Sequence, residues 1–401
     1  MFDITDIQQA FRAIFGKDPA CLVRACGRIN LIGEHTDYND GFVLPGAIDR
    51  YLFFAAAKNH TSTCKIHALD IQESASFEIN QLEKGAKLWL NYLMGIFQQF
   101  QLSGHAMEGI DVVFGGNLPI GAGVSSSAAL ECGFATSLNH LFQGNFSNPE
   151  IAQLAQRSSH NFVGIPCGIM DQFASVMGRA DHFILLDCRS LDYRYVPCDL
   201  KDYQIVLLDS KVHHELASSE YPVRVAECRA GIAYLQAVDP SIKSLRDASL
   251  PLLESYKNKM EDKIYRRCRY VITENERLLQ ACDYLQKGEI KSLGQLLYQT
   301  HAGLRDDYAV SCPELDFLVD TAAGIEGVAG ARLMGGGFGG CTINLVQKQA
   351  VQNFIETMLF VYKKQFGIQS EAYLYNIVDG TRVISSNDTN LDASSQMPDA
   401  R

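Results

Sequence analysis

The sequence predicts an α/β chain of the α+β type, built as a large two-lobed fold. Three observations point there. At 401 residues the chain is longer than one ordinary hydrophobic core serves. Its first half alternates β-branched and aromatic runs with glycine-rich turns and helical stretches. After about residue 213 the texture changes, and residues 220–300 read as mostly helical, with charged faces and few glycines. No internal repeat or Pro-rich linker marks a boundary. We expect an N-terminal lobe over 1–200, a C-terminal lobe over 201–384, and a polar, disordered tail over 385–401.

Residues 5–15 read as a short amphipathic helix capped by Thr5 or Asp6. Residues 20–33, 42–57 and 63–70 are rich in β-branched and aromatic side chains and read as strands. A helix over 86–101 holds the only tryptophan, Trp89. In IDVVFGGNLPIGAGVSSSAALECGFATSLNHLF we expect a strand over 110–114, a glycine-rich loop over 115–123 and a helix over about 125–142. DHFILLDC and YQIVLLDS read as buried strands. ARLMGGGFGGCTINLV, 331–346, reads as strand, tight glycine turn, strand. A helix over 350–365 and a last strand pair over 370–384 complete the pattern.

Composition narrows the function classes. The chain is 47% hydrophobic and 20% charged, with a formal net charge of -11. That balance argues against a nucleic-acid partner, which needs clustered Lys and Arg. An anionic small substrate stays open, because a local cationic pocket or a metal ion can hold one. None of the twelve cysteines is spaced C-x-x-C, which speaks against a zinc ribbon. Most lie in apolar runs, so we expect reduced thiols and a cytoplasmic protein. The N-terminus lacks the basic start and apolar core of a signal peptide. No segment approaches the roughly 18 apolar residues of a membrane span, so no membrane partner is expected. Without an exposed heptad or a long apolar edge strand, a monomer is the default.

Three stretches carry chemistry. LPIGAGVSSSAALECG, 118–133, is a glycine-rich loop between strand and helix. Exposed backbone N–H groups, a helix N-terminus and three serines make a phosphate cradle. It is neither a Walker loop nor a dinucleotide fingerprint, since position 126 is serine. A tight turn capped by serine is the competing explanation. LMGGGFGGCTINL, 333–345, has five glycines in six positions, letting backbone approach a neighbour closely; the alternative is a flexible hairpin tip. GRINLIGEHTDYNDG, 27–41, crowds charge directly after an apolar run, and GIPCGIMDQFAS, 164–175, sets Asp171 among small and apolar residues. An unpaired carboxylate is costly there, so Asp171 needs a cation, donors or a proton. Arg28 is one candidate partner, and a purely structural pair is the plainer explanation of the spacing alone.

Together the stretches are more specific. GRINLIGEHTDYNDGFVLPGAID resembles the galactokinase signature. LPIGAGVSSSAAL and LMGGGFGGCTINLV resemble motifs of the wider superfamily that includes homoserine, mevalonate and phosphomevalonate kinases. PCGIMDQF, SSEYPVR and HAGLRDDYAVSCPELD are similar to galactokinase stretches too. The resemblance runs from about residue 8 to 385, in the family's order and spacing.

It implies a two-lobed small-molecule kinase fold with the active site between the lobes. The implied activity is transfer of the γ-phosphoryl of ATP to the anomeric hydroxyl of galactose, with ATP and Mg²⁺ as cofactors. Asp171 and Arg28 match the catalytic pair. Glu34, His35 and Asp37 match the groups that grip sugar hydroxyls, with Gly168 and Tyr221 as further sugar contacts. Gly121, Ala122, Gly123, Ser125, Ser126, Ser127 and Ala128 match the triphosphate loop, with Ser127 the expected metal ligand. Trp89 and Tyr92 match aromatics near the adenine, where ordinary core packing is the alternative. The glycines at 335–340 are expected to close on the site from the other lobe. One position departs from the pattern: Ser159 stands where the family usually has a Mg²⁺-binding glutamate, which implies weakened Mg²⁺ affinity. Two other functions stay open. One is a galactose- and ATP-binding sensor without turnover, which the uninterrupted serine loop disfavours. The other is a kinase for a neighbouring sugar such as N-acetylgalactosamine, galacturonate or arabinose.

Overall fold

Ten residues, Cys21–Asn30, form a strand buried along nearly its whole length. Burial on both faces explains why this run shows no polar alternation. In the computed structural model, which describes residues 2–213 and 216–384, this strand lies second in a six-stranded sheet. The strand order is Arg382–Val383, Cys21–Asn30, Pro45–Lys58, Ile110–Gly116, Thr63–Ala68, Glu73–Glu78. Alternate residues of Pro45–Lys58 face opposite sides. Phe53, Ala55 and Ala57 pack with Ile4, Ile7 and Phe11 of the first helix. On the other side Phe54 and Ala25 meet Gly133 of the helix Ser126–Leu141. A Cβ at Gly133 would lie 2.2 Å from the Phe54 ring and 2.7 Å from Ala25 Cβ, so glycine lets this helix lie directly on the sheet. The first helix, Ile4–Phe15, is capped by Asp3 rather than by Thr5 or Asp6. Its carboxylate accepts from the N–H groups of Thr5 and Asp6, and the Asp3 N–H in turn donates to the Asp6 carboxylate.

The described residues divide into two compact units, and neither is one stretch of chain. The first gathers residues up to 28, 46–180 and 377–384; the second gathers 29–45 and 181–376. A single cut near residue 200 therefore does not describe the division. The charged segment after Arg28, expected in the N-terminal lobe, groups with the later part of the chain. The expected 385–401 tail lies outside the described residues.

The second unit has two antiparallel sheets. One runs Val328–Met334, Gly339–Gln347, Tyr203–His213, Glu371–Tyr375, and the other runs Phe42–Val43, His182–Asp187, Tyr193–Pro197. Val206, Leu208, Leu318, Phe354, Met358 and Tyr362 form one apolar core there. The strand pair expected over 370–384 is two strands in different sheets. Glu371–Tyr375 pairs with Tyr203–His213, and Arg382–Val383 pairs with Cys21–Asn30. All twelve cysteines are free thiols. Among the described residues no helix is long and apolar enough to cross a membrane.

Candidate active site

Arg28 lies near the end of a buried strand, and its backbone N–H donates to Val124 O at 3.0 Å, joining strand and glycine loop. Its guanidinium grips Asp171 with both prongs: Nε to Oδ1 at 2.7 Å and Nη2 to Oδ2 at 2.8 Å. The third prong, Nη1, donates to Gly123 O at 2.7 Å. A planar fork suits a carboxylate this way, and lysine could not replace it. Ser125 Oγ donates to Asp171 Oδ2 as well. All three hydrogen bonds to the carboxylate are given by donors. Three donors occupy three of about four lone-pair sites and leave one on Oδ1. The Arg28 side chain is buried, while that of Asp171 keeps 33% of its surface exposed. The carboxylate is thus oriented from behind and open in front.

The loop before the helix Ser126–Leu141 has an alternating backbone. φ is positive at Gly121 (82°), Gly123 (70°) and Ser125 (58°). Alternation of this kind turns successive N–H groups into a concavity suited to an anion. Serine rarely adopts positive φ, and such strain is found where function requires it. Ser125 is also the N-cap of that helix, yet its side chain makes no capping bond. Its hydroxyl is given to Asp171 instead. Ala122 and Ala128 are buried; Gly121 is exposed and Ser126 and Ser127 are half-exposed. Burial raises the pKa of the Tyr92 phenol to about 12, and the nearby Ser127 side chain tempers the rise. Trp89 is half-buried, with its ring edge-on to Phe114 and Nε1 donating to Glu73 Oε2 at 3.0 Å. Gly168 lies half-buried in the segment that leads into the helix Met170–Met177, which carries Asp171 in its first turn.

Ser159 faces inward. Its hydroxyl donates to Glu131 Oε1 at 2.5 Å, and Gln172 Nε2 donates to Glu131 Oε2 at 3.1 Å. Glu131 has no exposed surface. Burial pushes its carboxyl up to about 8; Ser159 and Gln172 pull it down, and the charge of Asp171 adds to the rise. Ser159 opens a π-helical turn, Ser159–Val163. Among the described residues no three His, Cys, Asp or Glu side chains cluster as a metal cage.

In the second unit Glu34 is buried against Arg332, which has no exposed side-chain surface. Arg332 Nη1 donates to Glu34 Oε1 at 3.0 Å, and Gly335 N donates to the same oxygen at 2.9 Å. Arg332 also donates to the carbonyls of Leu31, Asn30 and Leu333. His35 is buried at φ 60°, its ring 6.0 Å from that of Tyr221. Asp37 is half-buried at the start of the 3-10 turn Asp37–Asn39. The glycine hairpin belongs to this same unit, and Gly335 touches Glu34 directly.

The structure thus joins Arg28, Gly123, Ser125 and Asp171 in one unit, and His35 with Tyr221 in the other. Sequence reasoning missed Glu131, Gln172 and Arg332, and also Tyr38 and Tyr308. All five lie inside stretches already singled out, but the partners that give them a role lie elsewhere in the chain, Ser159 for Glu131, Glu34 for Arg332 and Tyr308 for Tyr38. Only a structure supplies such pairings.

Three family models match the chain. They are the galactokinase galactose-binding signature over residues 9–58, the GHMP kinases N terminal domain over 91–179 and the GHMP kinases C terminal over 281–364. A galactokinase from Roseiflexus sp. (strain RS-1) is 41% identical over 387 residues, covering 96% of this chain and 99% of the relative. A galactokinase from Thermotoga maritima is 41% identical over 362 residues, covering 90% and 99%. The crystal structure of Lactococcus lactis galactokinase complexed with galactose superposes with a TM-score of 0.89 at 33% identity, covering 94% of this chain and 98% of that one. A bidentate Arg–Asp pair beside a strained, serine-rich loop, carried on a chain this similar along its length, makes the protein a sugar kinase that belongs to the galactokinase family.

Proposed function

We propose that this protein transfers the γ-phosphoryl group of ATP to the anomeric hydroxyl of D-galactose, giving galactose 1-phosphate. The observation that carries this reading is the Asp171 carboxylate, held by Arg28 and Ser125 with one acceptor site left on Oδ1. A sugar hydroxyl donating to that site is polarised toward attack, and its proton passes to Oδ1 as the O–P bond forms. Phosphoryl transfer has a loose transition state, so positioning and charge stabilisation do most of the work. Arg28 supplies positive charge beside the reacting oxygens. The N–H groups of 121–128 and the start of the long helix after them receive the phosphates. Glu34, His35 and Asp37 take the hydroxyls remote from C1, with Tyr221 and Gly168 as further contacts. Trp89 and Tyr92 lie toward the adenine.

The donor set around the loop suits a Mg²⁺ that the nucleotide carries in, with Ser127 as its protein ligand. Asp171 has three of its lone pairs taken and Glu131 is tied inward, so of these side chains the Ser127 hydroxyl would be the one left to hold the ion. When bound, the ion neutralises phosphate charge. Reduced thiols throughout support a cytoplasmic location.

The test is an ADP-release assay over a panel of galactose, N-acetylgalactosamine, galacturonate and arabinose, with the product identified. We expect galactose to be preferred and the phosphate to sit on the anomeric oxygen. In Asp171→Asn, kcat should fall on the order of 10²–10⁴-fold with nucleotide binding kept. Unchanged turnover in that variant, or no ADP release with any of the sugars, refutes the reading.

A further inference from the structure

His35 stands at the end of a hydrogen-bonded ladder that no assigned role uses. Its Nδ1 lies 2.8 Å from the Tyr38 hydroxyl. Tyr38 Oη lies 2.7 Å from Tyr308 Oη, and Tyr308 Oη lies 3.2 Å from Cys228 Sγ. The rungs come from three distant parts of the chain, yet the rings pack as one cluster: His35 to Tyr308 at 4.9 Å and Tyr38 to Tyr221 at 5.0 Å. His35, Tyr308 and Cys228 are all buried.

A ladder of this kind can run in two directions. If His35 Nδ1 carries the proton, the bonds run His35 to Tyr38 to Tyr308 to Cys228. The sulfur, already approached by the Asn39 side chain, then has no acceptor for its own S–H. His35 Nε2 would present a lone pair while the Gly336 backbone favours a proton on the ring. Two groups are then mismatched. In the opposite direction Cys228 donates to Tyr308, Tyr308 to Tyr38, and Tyr38 to Nδ1. Each hydrogen along the ladder then has an acceptor, and the one proton left without one is that of His35, on Nε2. That nitrogen is buried and has no hydrogen-bond partner of good geometry within the protein. A buried N–H without a full partner carries a cost that an incoming oxygen relieves.

We propose that Tyr38 and Tyr308 are positioning residues which fix His35 as its Nε2–H tautomer, so that His35 donates a hydrogen bond to a sugar oxygen. The inference rests on the reading of His35 as a sugar contact. Burial lowers the His35 pKa to about 4, so the ring is neutral at physiological pH and the choice between tautomers is a real one. The chemical consequence concerns specificity. A donor at this point accepts a hydroxyl or, more weakly, a fluorine, and it rejects a carbon-bound hydrogen. An acceptor there would reject fluorine and hydrogen alike.

The experiment is ¹⁵N NMR of the imidazoles in the ligand-free full-length protein at neutral pH, with His35→Gln used only to assign the signal. We expect a protonated Nε2 and a bare Nδ1. Tyr38→Phe removes the donor to Nδ1 while keeping the ring, and the signals should then move toward mixed tautomers. In that variant KM for galactose should rise about 2–10-fold, the value of one neutral hydrogen bond, while kcat and KM for ATP change less than twofold. Across monodeoxy and monofluoro galactoses, the position read by His35 should lose less with fluorine than with hydrogen, and Tyr38→Phe should shrink that difference. A wild-type ring protonated on Nδ1, or spectra and KM untouched by Tyr38→Phe, overturns the proposal. Since the tautomer is read without ligand, failure to bind galactose would refute the proposed function and leave this result intact.

Discussion

Glu131 shows how much one buried carboxyl changes. Burial pushes it up to about 8, against a value of about 4.3 in an unfolded chain. Between those values the folded state holds a proton that the unfolded state has released. Its contribution is therefore fully present below the unfolded value and lost as pH rises toward 8. Urea midpoints of wild type and Glu131→Gln, taken from about pH 5 to pH 8, should move apart as pH rises, wild type falling relative to the variant, because glutamine stays neutral and only wild type loses this term. Parallel curves would mean that Glu131 does not titrate in that window. Ser159 is the hydroxyl that holds Glu131, so the serine at the departing position is engaged, not merely short. Ser159→Glu would bring a second carboxyl against the first, and two like charges at one site need a proton or a cation. We expect this variant to be destabilised without Mg²⁺, to recover in thermal shift on adding it, and to need several-fold less Mg²⁺ for half-maximal rate. An identical Mg²⁺ dependence in the two proteins removes the case for weakened binding.

At the scale of the element, the helix Ser126–Leu141 and its entry loop join fold to chemistry. Ser125 sits at φ 58° without capping that helix, because its hydroxyl serves Asp171. Ser125→Gly should separate the two roles. Glycine relieves roughly 1–2 kcal/mol of left-handed strain, while losing a charged hydrogen bond of about 1.5–3 kcal/mol and adding chain entropy. The losses exceed the relief by about 1–2 kcal/mol, so the melting temperature should fall by only a few degrees. Turnover should fall at least tenfold, since Asp171 loses one of its three donors. A variant that loses stability and activity in step would make Ser125 merely structural. The element itself was legible: the switch from strand period to helical period, with glycines between, marked a strand over 110–114 and a helix over about 125–142, and the structure has Ile110–Gly116 and Ser126–Leu141. The loop's strain was not, because the sequence shows which residues tolerate positive φ but not that a serine adopts it. The Asp171 site was half legible. Its need for a partner followed from its setting and Arg28 was a candidate, but Ser125 as third donor and the inward turn of Ser159 depend on side-chain directions.

For the whole molecule, what stayed hidden is how the chain is shared between units. Texture suggested a change after about residue 213, and helices do dominate from 216 to 323. Yet residues 29–45 group with the later chain and 377–384 with the earlier. Local pattern cannot report this, because a strand's partner is not written in its own period; Arg382–Val383 reads as strand whichever sheet receives it. The physical reason for the crossing is explicit in the second unit. Arg332 has no exposed side-chain surface, and its guanidinium is satisfied by Glu34 and by the carbonyls of Asn30 and Leu31. Gly33 N likewise donates to the buried Glu274 at 3.0 Å. A fragment made of residues 201–384 lacks all of these partners. It would bury a guanidinium with its ion pair removed, at a cost of about 3–5 kcal/mol, comparable with the whole stability of a marginal domain. We therefore expect that fragment to show no cooperative urea transition and to be digested rapidly by protease. Adding a peptide of residues 29–45 in trans should restore some protection, and the same peptide with Glu34→Ala should not. A fragment that unfolds cooperatively by itself would show that the early segment is an attachment to this unit and not part of its core.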